Sequence, residues 1–208
     1  MVVDLARPTA VRRARWLNTV TIGWNTIEGL IAILAGIAAG SVSLIGFGLD
    51  SAIEVSAAAA LSWRLARENR DDCRQSDDRL AQRLVAISFG LLAVYVATNA
   101  SADLIAGNAP EASVVGLVLA AVSLAVMPVI AHKKRQLAPV IGSRAAMAEA
   151  TQTDFCTLLS AALLLGLGLN LTLGWWWADP ISALVIAGVS VYAAVATWRA
   201  PSLADTCC

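Results

Sequence analysis

Residues 41–63 read SVSLIGFGLDSAIEVSAAAALSW, an apolar run broken by only two charged side chains, Asp50 and Glu54. A helix needs about 20 predominantly apolar residues to cross the hydrocarbon core of a bilayer. A strand of this length is uncommon, and only a helix or a closed barrel satisfies its backbone groups inside lipid. The run therefore predicts a membrane-spanning helix that carries two acids.

Five further runs of the same kind occupy most of the remaining chain, at 16–39, 84–106, 112–131, 147–171 and 175–198. Of the 208 residues, 58% are hydrophobic and 14% are charged. Soluble domains average roughly 45–50% apolar and about 25% charged residues, so the composition excludes a soluble or disordered protein. We predict an all-α integral membrane protein with six transmembrane helices and no room for a separate soluble domain.

Charge and cysteine content narrow the possible partners. The 15 basic and 15 acidic residues give a net charge of zero, which predicts no nucleic-acid partner. Cys73, Cys156, Cys207 and Cys208 have no spacing typical of a disulfide framework. The apolar run that follows the first arginines is too long for a signal peptide.

The basic residues fall on one side of a six-span arrangement. All 15 lie in the N-terminal segment, in 64–83, in 133–144 or after residue 198, and none lies within a predicted span. The positive-inside rule makes that side cytoplasmic, with both termini inside. The predicted division is a cytoplasmic N-terminal segment (1–15), a six-helix transmembrane domain (16–198) and a short cytoplasmic tail (199–208).

Asp50 and Glu54 are spaced i, i+4 and share one face of the second span. A charged residue at the bilayer centre costs about 2.5–3.5 kcal/mol on insertion scales. Because no Lys or Arg lies in a predicted span, a cation or protons from solution must offset this charge. The alternative is a protonated pair that serves only packing.

The fifth span carries a second polar group. Gln152 and Cys156 are also spaced i, i+4, and Glu149 lies on the same face, whereas Asp154 lies about 200° from Gln152. A carboxamide oxygen and a thiolate that face two carboxylates would form a four-ligand site. Oxygen and sulfur at coordination four suit zinc or a similar divalent transition metal. Alternatively, Cys156 is a small hydrophobic packing residue.

Four other polar residues lie in or near the spans, and for Glu28 a pathway role and a structural role are both open. In the first span, Asn25 and Glu28 are spaced i, i+3, and Glu28 is either a pathway acid or a polar tie to another helix. Asp103 is predicted at the outer membrane interface. Asp179 and Pro180 are predicted as the N-cap and first turn of the sixth helix.

These motifs resemble the cation diffusion facilitator family of divalent-metal exporters. The resemblance covers roughly residues 20–198 and includes N-x-x-E in span one and G-S-x-S-L-I-G-F-G-L-D-S at 40–51. The family typically carries D-x-x-x-D in span two and H-x-x-x-D in span five, which together form a tetrahedral transport site. Here Asp50 and Glu54 match the first motif, with Glu in place of the second Asp. A small polar residue commonly follows the second motif, and Ser160 in that place puts Gln152 and Cys156 at the His and Asp positions.

The alternative alignment of span five uses Asp154 as the acid. It would put Ala150 at the His position. The resemblance thus implies Asp50, Glu54, Gln152 and Cys156 as metal ligands. Asn25, Glu28, Glu149 and Asp154 are expected along the pathway or around the ligands.

The resemblance implies a secondary transporter that exports divalent metal by alternating access with proton antiport. The expected cargo is zinc, with iron, manganese, cadmium and cobalt as other candidates, and no permanent cofactor is expected. The expected setting is the lipid of the plasma membrane, with a homodimer as the assembly. Without a site histidine, coupling would use the carboxylates or Cys156. The chain ends soon after span six, so we expect a branch without the family's cytoplasmic C-terminal domain.

The alternatives to transport are a non-transporting membrane protein and an enzyme. A non-transporting metal sensor, or an accessory partner of a full-length exporter, would also suit a missing C-terminal domain. An enzyme is not expected, because intramembrane hydrolysis needs a paired nucleophile and base or a histidine-rich metal site, and His132 is the single histidine. Cys207 and Cys208 are interpreted as metal-capturing, lipidated or inert.

Overall fold

The computed structural model describes residues 2–67, 75–111, 113–141 and 144–199. These ranges contain six helices and no strand, and every helix is long and apolar enough to cross a membrane. The prediction of an all-α protein with six transmembrane helices is confirmed. Cys73, Cys207, Cys208 and nearly all of the predicted tail lie outside the described residues. The helices are α1 (Val2–Ala39), α2 (Val42–Arg67), α3 (Gln75–Ala106), α4 (Val114–Ile141), α5 (Arg144–Leu173) and α6 (Ala178–Arg199).

Several helices extend beyond the apolar runs that predicted them. The fourth run ends at 131, whereas α4 continues to Ile141. Lys133, Lys134 and Arg135 therefore lie in α4, and the prediction that they belong to a connecting segment is wrong. The backbone of a helix satisfies its own hydrogen bonds in water as well as in lipid, so hydropathy does not mark where the helix ends.

Three helices end at glycines with a left-handed backbone. Gly40, Gly107 and Gly174 have φ values of 64°, 70° and 66°, respectively, and follow α1, α3 and α5. Glycine adopts this conformation without the steric penalty of a Cβ, so it ends helices frequently. These three turns lie at the end of the bundle opposite the basic residues. We call the two ends the glycine end and the basic end.

Helix α2 lies at the centre of the bundle and contacts α1, α3, α5 and α6. Its approach to α1 depends on glycine. A Cβ on Gly48 would lie 2.7 Å from Ile33 Cγ1 and 3.0 Å from the Gly29 carbonyl oxygen. A Cβ on Gly36 would lie 2.9 Å from the Ile45 nitrogen, so small residues allow these two helices to pack closely.

A buried carboxylate ties α6 to the turn between α1 and α2. Because α6 begins at Ala178, Asp179 lies within its first turn, and the prediction that Asp179 is the N-cap is wrong. Its Oδ1 accepts hydrogen bonds from Ser41 Oγ at 2.8 Å and from Ser43 Oγ. The role of Asp179 is thus to join two elements at the glycine end.

Candidate functional site

Two acids of α2 point into the centre of the bundle. Asp50 and Glu54 are both buried, on the same stripe of α2 as Phe47 and Ala58. Asp50 is eight residues from the start of α2 at Val42, which corresponds to about 12 Å at 1.5 Å per residue. A hydrocarbon core is about 30 Å thick, so this depth is close to its middle.

The stripe of α5 that faces α2 consists of Glu149, Thr153, Cys156 and Ser160, all buried. The Cys156 thiol faces the Glu54 carboxyl closely enough for a direct electrostatic interaction. Thr153 Oγ1 donates to Glu54 Oε1 across 2.7 Å. The structure therefore brings Cys156 and Glu54 together, and it adds Thr153, which the sequence analysis did not single out.

Gln152 lies beside this stripe and is half-buried. Its Nε2 atom is buried and has no hydrogen-bond partner among the described residues. The 4, 3, 4 spacing of the stripe itself, from Glu149 through Thr153 and Cys156 to Ser160, is a helical period that would have identified Thr153.

Helix α1 contributes a polar stripe to the same region. Asn18, Thr21, Asn25 and Glu28 follow the helical period and are all buried. Ser51 Oγ donates to Glu28 Oε2 at 3.2 Å, which fixes Glu28 against α2. The carboxyl of Glu28 lies close enough to those of Asp50 and Glu54 for direct electrostatic interaction.

Several polar atoms of this region lack a partner. Buried polar atoms in folded proteins are nearly always hydrogen-bonded, and an exception needs an explanation such as a missing water or ion. Two carboxylate oxygens from two different helices are among the exceptions, which makes the region suited to a cation. Within the described part of the chain, the unpartnered buried atoms here are Asn18 Oδ1, Asn25 Oδ1 and Nδ2, Glu28 Oε1, Glu54 Oε2 and Gln152 Nε2.

Glu149 is compensated from within the protein. Lys134 of α4 forms an ion pair with Glu149, and the two side chains are 5% and 4% exposed. Lys134 Nζ also donates to Thr153 Oγ1 at 3.2 Å. Glu149 therefore has a counter-charge within the protein and needs none from solution. The reason is that α4 extends far enough to bring a lysine alongside α5.

Asp154 faces away from this region. It forms an ion pair with Arg135, and the two side chains are 36% and 48% exposed, respectively. Of the two candidates for the acid position of α5, Cys156 lies on the side of Glu54 and Asp154 does not. His132 is exposed as well, and its Nε2 lies 2.9 Å from Gln136 Nε2.

Residues 19–200 match the cation efflux transmembrane domain. The chain belongs to the cation efflux family. This is the cation diffusion facilitator family that the sequence motifs resemble, so that prediction is confirmed. Members of the family are transporters rather than enzymes. No individual curated protein matches the chain.

The cation efflux domain contains every candidate ligand, but in an open arrangement. Within the described ranges, no three His, Cys, Asp or Glu side chains converge closely enough to hold a metal ion. Asp50, Glu54 and Cys156 would have to rotate towards a shared point to enclose one. Asp50 and Glu54 of α2 lie within electrostatic reach of Cys156 of α5.

Proposed function

We propose that this protein exports divalent transition-metal ions, zinc first among them, through a site between α2 and α5. The observation that carries the proposal is the unpartnered Oε2 atom of Glu54, buried beside the Cys156 thiol and the carboxyl of Asp50. Carboxylates that are buried together near the bilayer centre repel one another. A bound divalent cation would remove both the repulsion and the unpaired atom.

The proposed ligands are Asp50, Glu54, Gln152 and Cys156. Carboxylate oxygen and thiolate sulfur at coordination four are ligands that zinc and similar metals accept. Gln152 would bind through its amide oxygen. This requires a half-turn of the carboxamide, because a nitrogen that carries two hydrogens is a donor and does not bind a cation.

Asn25 and Glu28 are proposed to line the path to this site. Their stripe on α1 runs from Asn18, which donates to the Ala58 carbonyl at 2.6 Å, up to Glu28 beside Ser51. This direction leads from the basic end of the bundle to the level of the α2 acids. Glu149 is held by Lys134 and Asp154 by Arg135, so neither is proposed as a ligand.

Proton antiport would use the same groups. Metal binding requires deprotonated ligands, so protons and metal compete for the carboxyls and for the Cys156 thiol. The purified protein should then release protons when zinc binds. Absence of release at every pH between about 6 and 8, with zinc bound, would exclude antiport.

The setting is proposed from the family resemblance. We infer a plasma-membrane homodimer with the basic end in the cytoplasm, so that transport towards the glycine end is export. Cross-linking in native membranes should give a dimer, and monomer alone at every cross-linker concentration would count against it.

The transport proposal is tested by metal uptake into sealed vesicles. The assay uses zinc, iron(II), manganese and cadmium with the wild type and with Asp50→Asn. The variant should lose at least about tenfold in uptake rate, as is typical when a group that supports a metal site is removed. Asp103→Asn is the matched control, since Asp103 lies near the glycine end and accepts from Asn108 Nδ2 at 3.0 Å. An intact wild type that moves none of the four metals would overturn the proposal and favour a sensor or accessory partner.

A further inference from the structure

Four buried side chains from three helices form one continuous chain of polar contacts. Lys134 of α4 contacts both Glu149 and Thr153 of α5, and Thr153 contacts Glu54 of α2. All four are at most 5% exposed. This series of contacts begins at the Lys134 ammonium and ends at Glu54, a proposed metal ligand.

The hydroxyl of Thr153 determines which atoms donate and which accept in this series of hydrogen bonds. A hydroxyl has one hydrogen to donate and two lone pairs to accept with. Two acceptors lie within reach, Glu54 Oε1 at 2.7 Å and the Glu149 carbonyl oxygen at 3.2 Å. Lys134 Nζ has no lone pair when charged, so it donates to the Thr153 oxygen at 3.2 Å. The one hydroxyl hydrogen then goes to the nearer acceptor, Glu54.

This contact distinguishes the two oxygens of Glu54. Oε1 is anchored by Thr153, whereas Oε2 has no hydrogen-bond partner among the described residues. Anchoring one oxygen fixes the plane of the carboxylate and leaves the other as the atom that can bind a cation. A ligand that is already oriented loses less side-chain entropy on binding.

We propose that Thr153 is a positioning residue that orients Glu54 for cation binding, and that Lys134, paired with Glu149, keeps the Thr153 hydroxyl directed at Glu54. The inference rests on the proposed cation site and adds a function for three residues that are not ligands. It predicts that metal affinity depends on a hydroxyl that never touches the metal.

Three substitutions at or near Thr153 separate positioning from packing. Thr153→Val keeps the shape and removes the hydroxyl, and Thr153→Ser keeps the hydroxyl. Thr151→Val is the matched control on the same helix. Thr151 Oγ1 donates to the Met147 carbonyl oxygen at 3.1 Å, much as Thr153 reaches that of Glu149, but it is exposed.

The first readout is zinc affinity of the purified full chain in nanodiscs. A hydrogen bond to a charged group contributes enough that its loss should weaken binding about tenfold or more. Thr153→Val should show this loss, and Thr153→Ser and Thr151→Val should stay within about twofold of the wild type. Wild-type affinity in Thr153→Val would overturn the inference and leave the cation site standing.

The second readout does not need metal. The infrared carboxyl band of Glu54, assigned by its disappearance in Glu54→Gln, reports the hydrogen bond to Oε1 directly. The band should shift in Thr153→Val and should not shift in Thr153→Ser or Thr151→Val. An unshifted band in Thr153→Val would overturn the inference. A shifted band in a protein that binds no zinc would instead refute the proposed function alone.

The contribution of Lys134 is tested by a double-mutant cycle. Lys134→Met combined with Glu149→Gln removes the ion pair without leaving a buried unpaired charge. In this background the hydroxyl is no longer directed, so Thr153→Val should weaken zinc binding by a smaller factor than it does in the wild type. An equal factor in both backgrounds would exclude Lys134 from the positioning role.

Discussion

Cys156 lies fully buried against the Glu54 carboxyl, whereas Asp154, two residues earlier, pairs with Arg135 at the surface. The angular position of each residue on α5 was sufficient to predict this difference. Thr153 was not predicted, since a threonine in a membrane helix commonly bonds its own backbone. The helical period places Thr153 on the inner face of α5, but its contact with Glu54 also depends on how α2, α4 and α5 pack.

The Lys134–Glu149 pair gives a stability prediction. Lys134→Met leaves Glu149 buried without a counter-charge, and breaking a buried pair typically costs about 3–5 kcal/mol. The combined Lys134→Met and Glu149→Gln variant should recover most of this loss. Thermal unfolding of the purified proteins in one detergent measures both.

An exposed pair on the same two helices serves as the control. Arg135→Met breaks the Arg135–Asp154 pair, which is far more exposed, and should cost less than about 1 kcal/mol. A Lys134→Met protein that melts at the wild-type temperature would show that the buried pair is not formed.

At the scale of the elements, the packing of α1 against α2 sets where Glu28 stands relative to the α2 acids. All six helices were predicted from the sequence, because each apolar run is long enough to span a membrane. The predicted boundary of α4 at the basic end was wrong. Beyond residue 131 the helix is held by backbone bonds and by the packing of Lys134 and Ala138, and these leave no hydropathy signal.

A glycine substitution tests the approach of α1 to α2. Gly48→Ala places a Cβ 3.0 Å from the Gly29 oxygen and 2.7 Å from Ile33 Cγ1, so the helices must separate. Overpacking of this kind typically costs about 1–3 kcal/mol, and thermal unfolding in detergent measures it.

Gly23→Ala is the matched control for this substitution. A Cβ at Gly23 meets no atom within 4 Å, so the variant should be at least as stable as the wild type. Equal melting temperatures for Gly48→Ala and Gly23→Ala would contradict the close packing.

At the scale of the whole molecule, the interior combines an apolar core with buried polar side chains, and many large apolar side chains are exposed on the outside. The two ends of the bundle differ in charge. Lys133 and Arg135 lie at the basic end, whereas the turns at the other end are formed by the three glycines. The positive-inside rule predicts that the basic end faces the cytoplasm.

Cysteine labelling tests this orientation. In a chain whose native cysteines are replaced by serine, Asn108→Cys should react with an impermeant maleimide added outside intact cells. Lys133→Cys should react only after the membrane is opened. Both positions are exposed. The reverse pattern would invert the orientation and turn the proposed export into import.

The central claim, that a divalent cation binds between α2 and Cys156 of α5, is tested most directly by X-ray absorption of the zinc-loaded protein. The sample is a variant in which Cys73, Cys207 and Cys208 are replaced by serine, so that Cys156 supplies the one remaining thiol. The account predicts one sulfur neighbour at about 2.3 Å together with oxygen neighbours at about 2.0–2.2 Å, and loss of the sulfur when Cys156→Ser is added. Bound zinc surrounded by oxygen and nitrogen alone, with Cys156 intact, would contradict it.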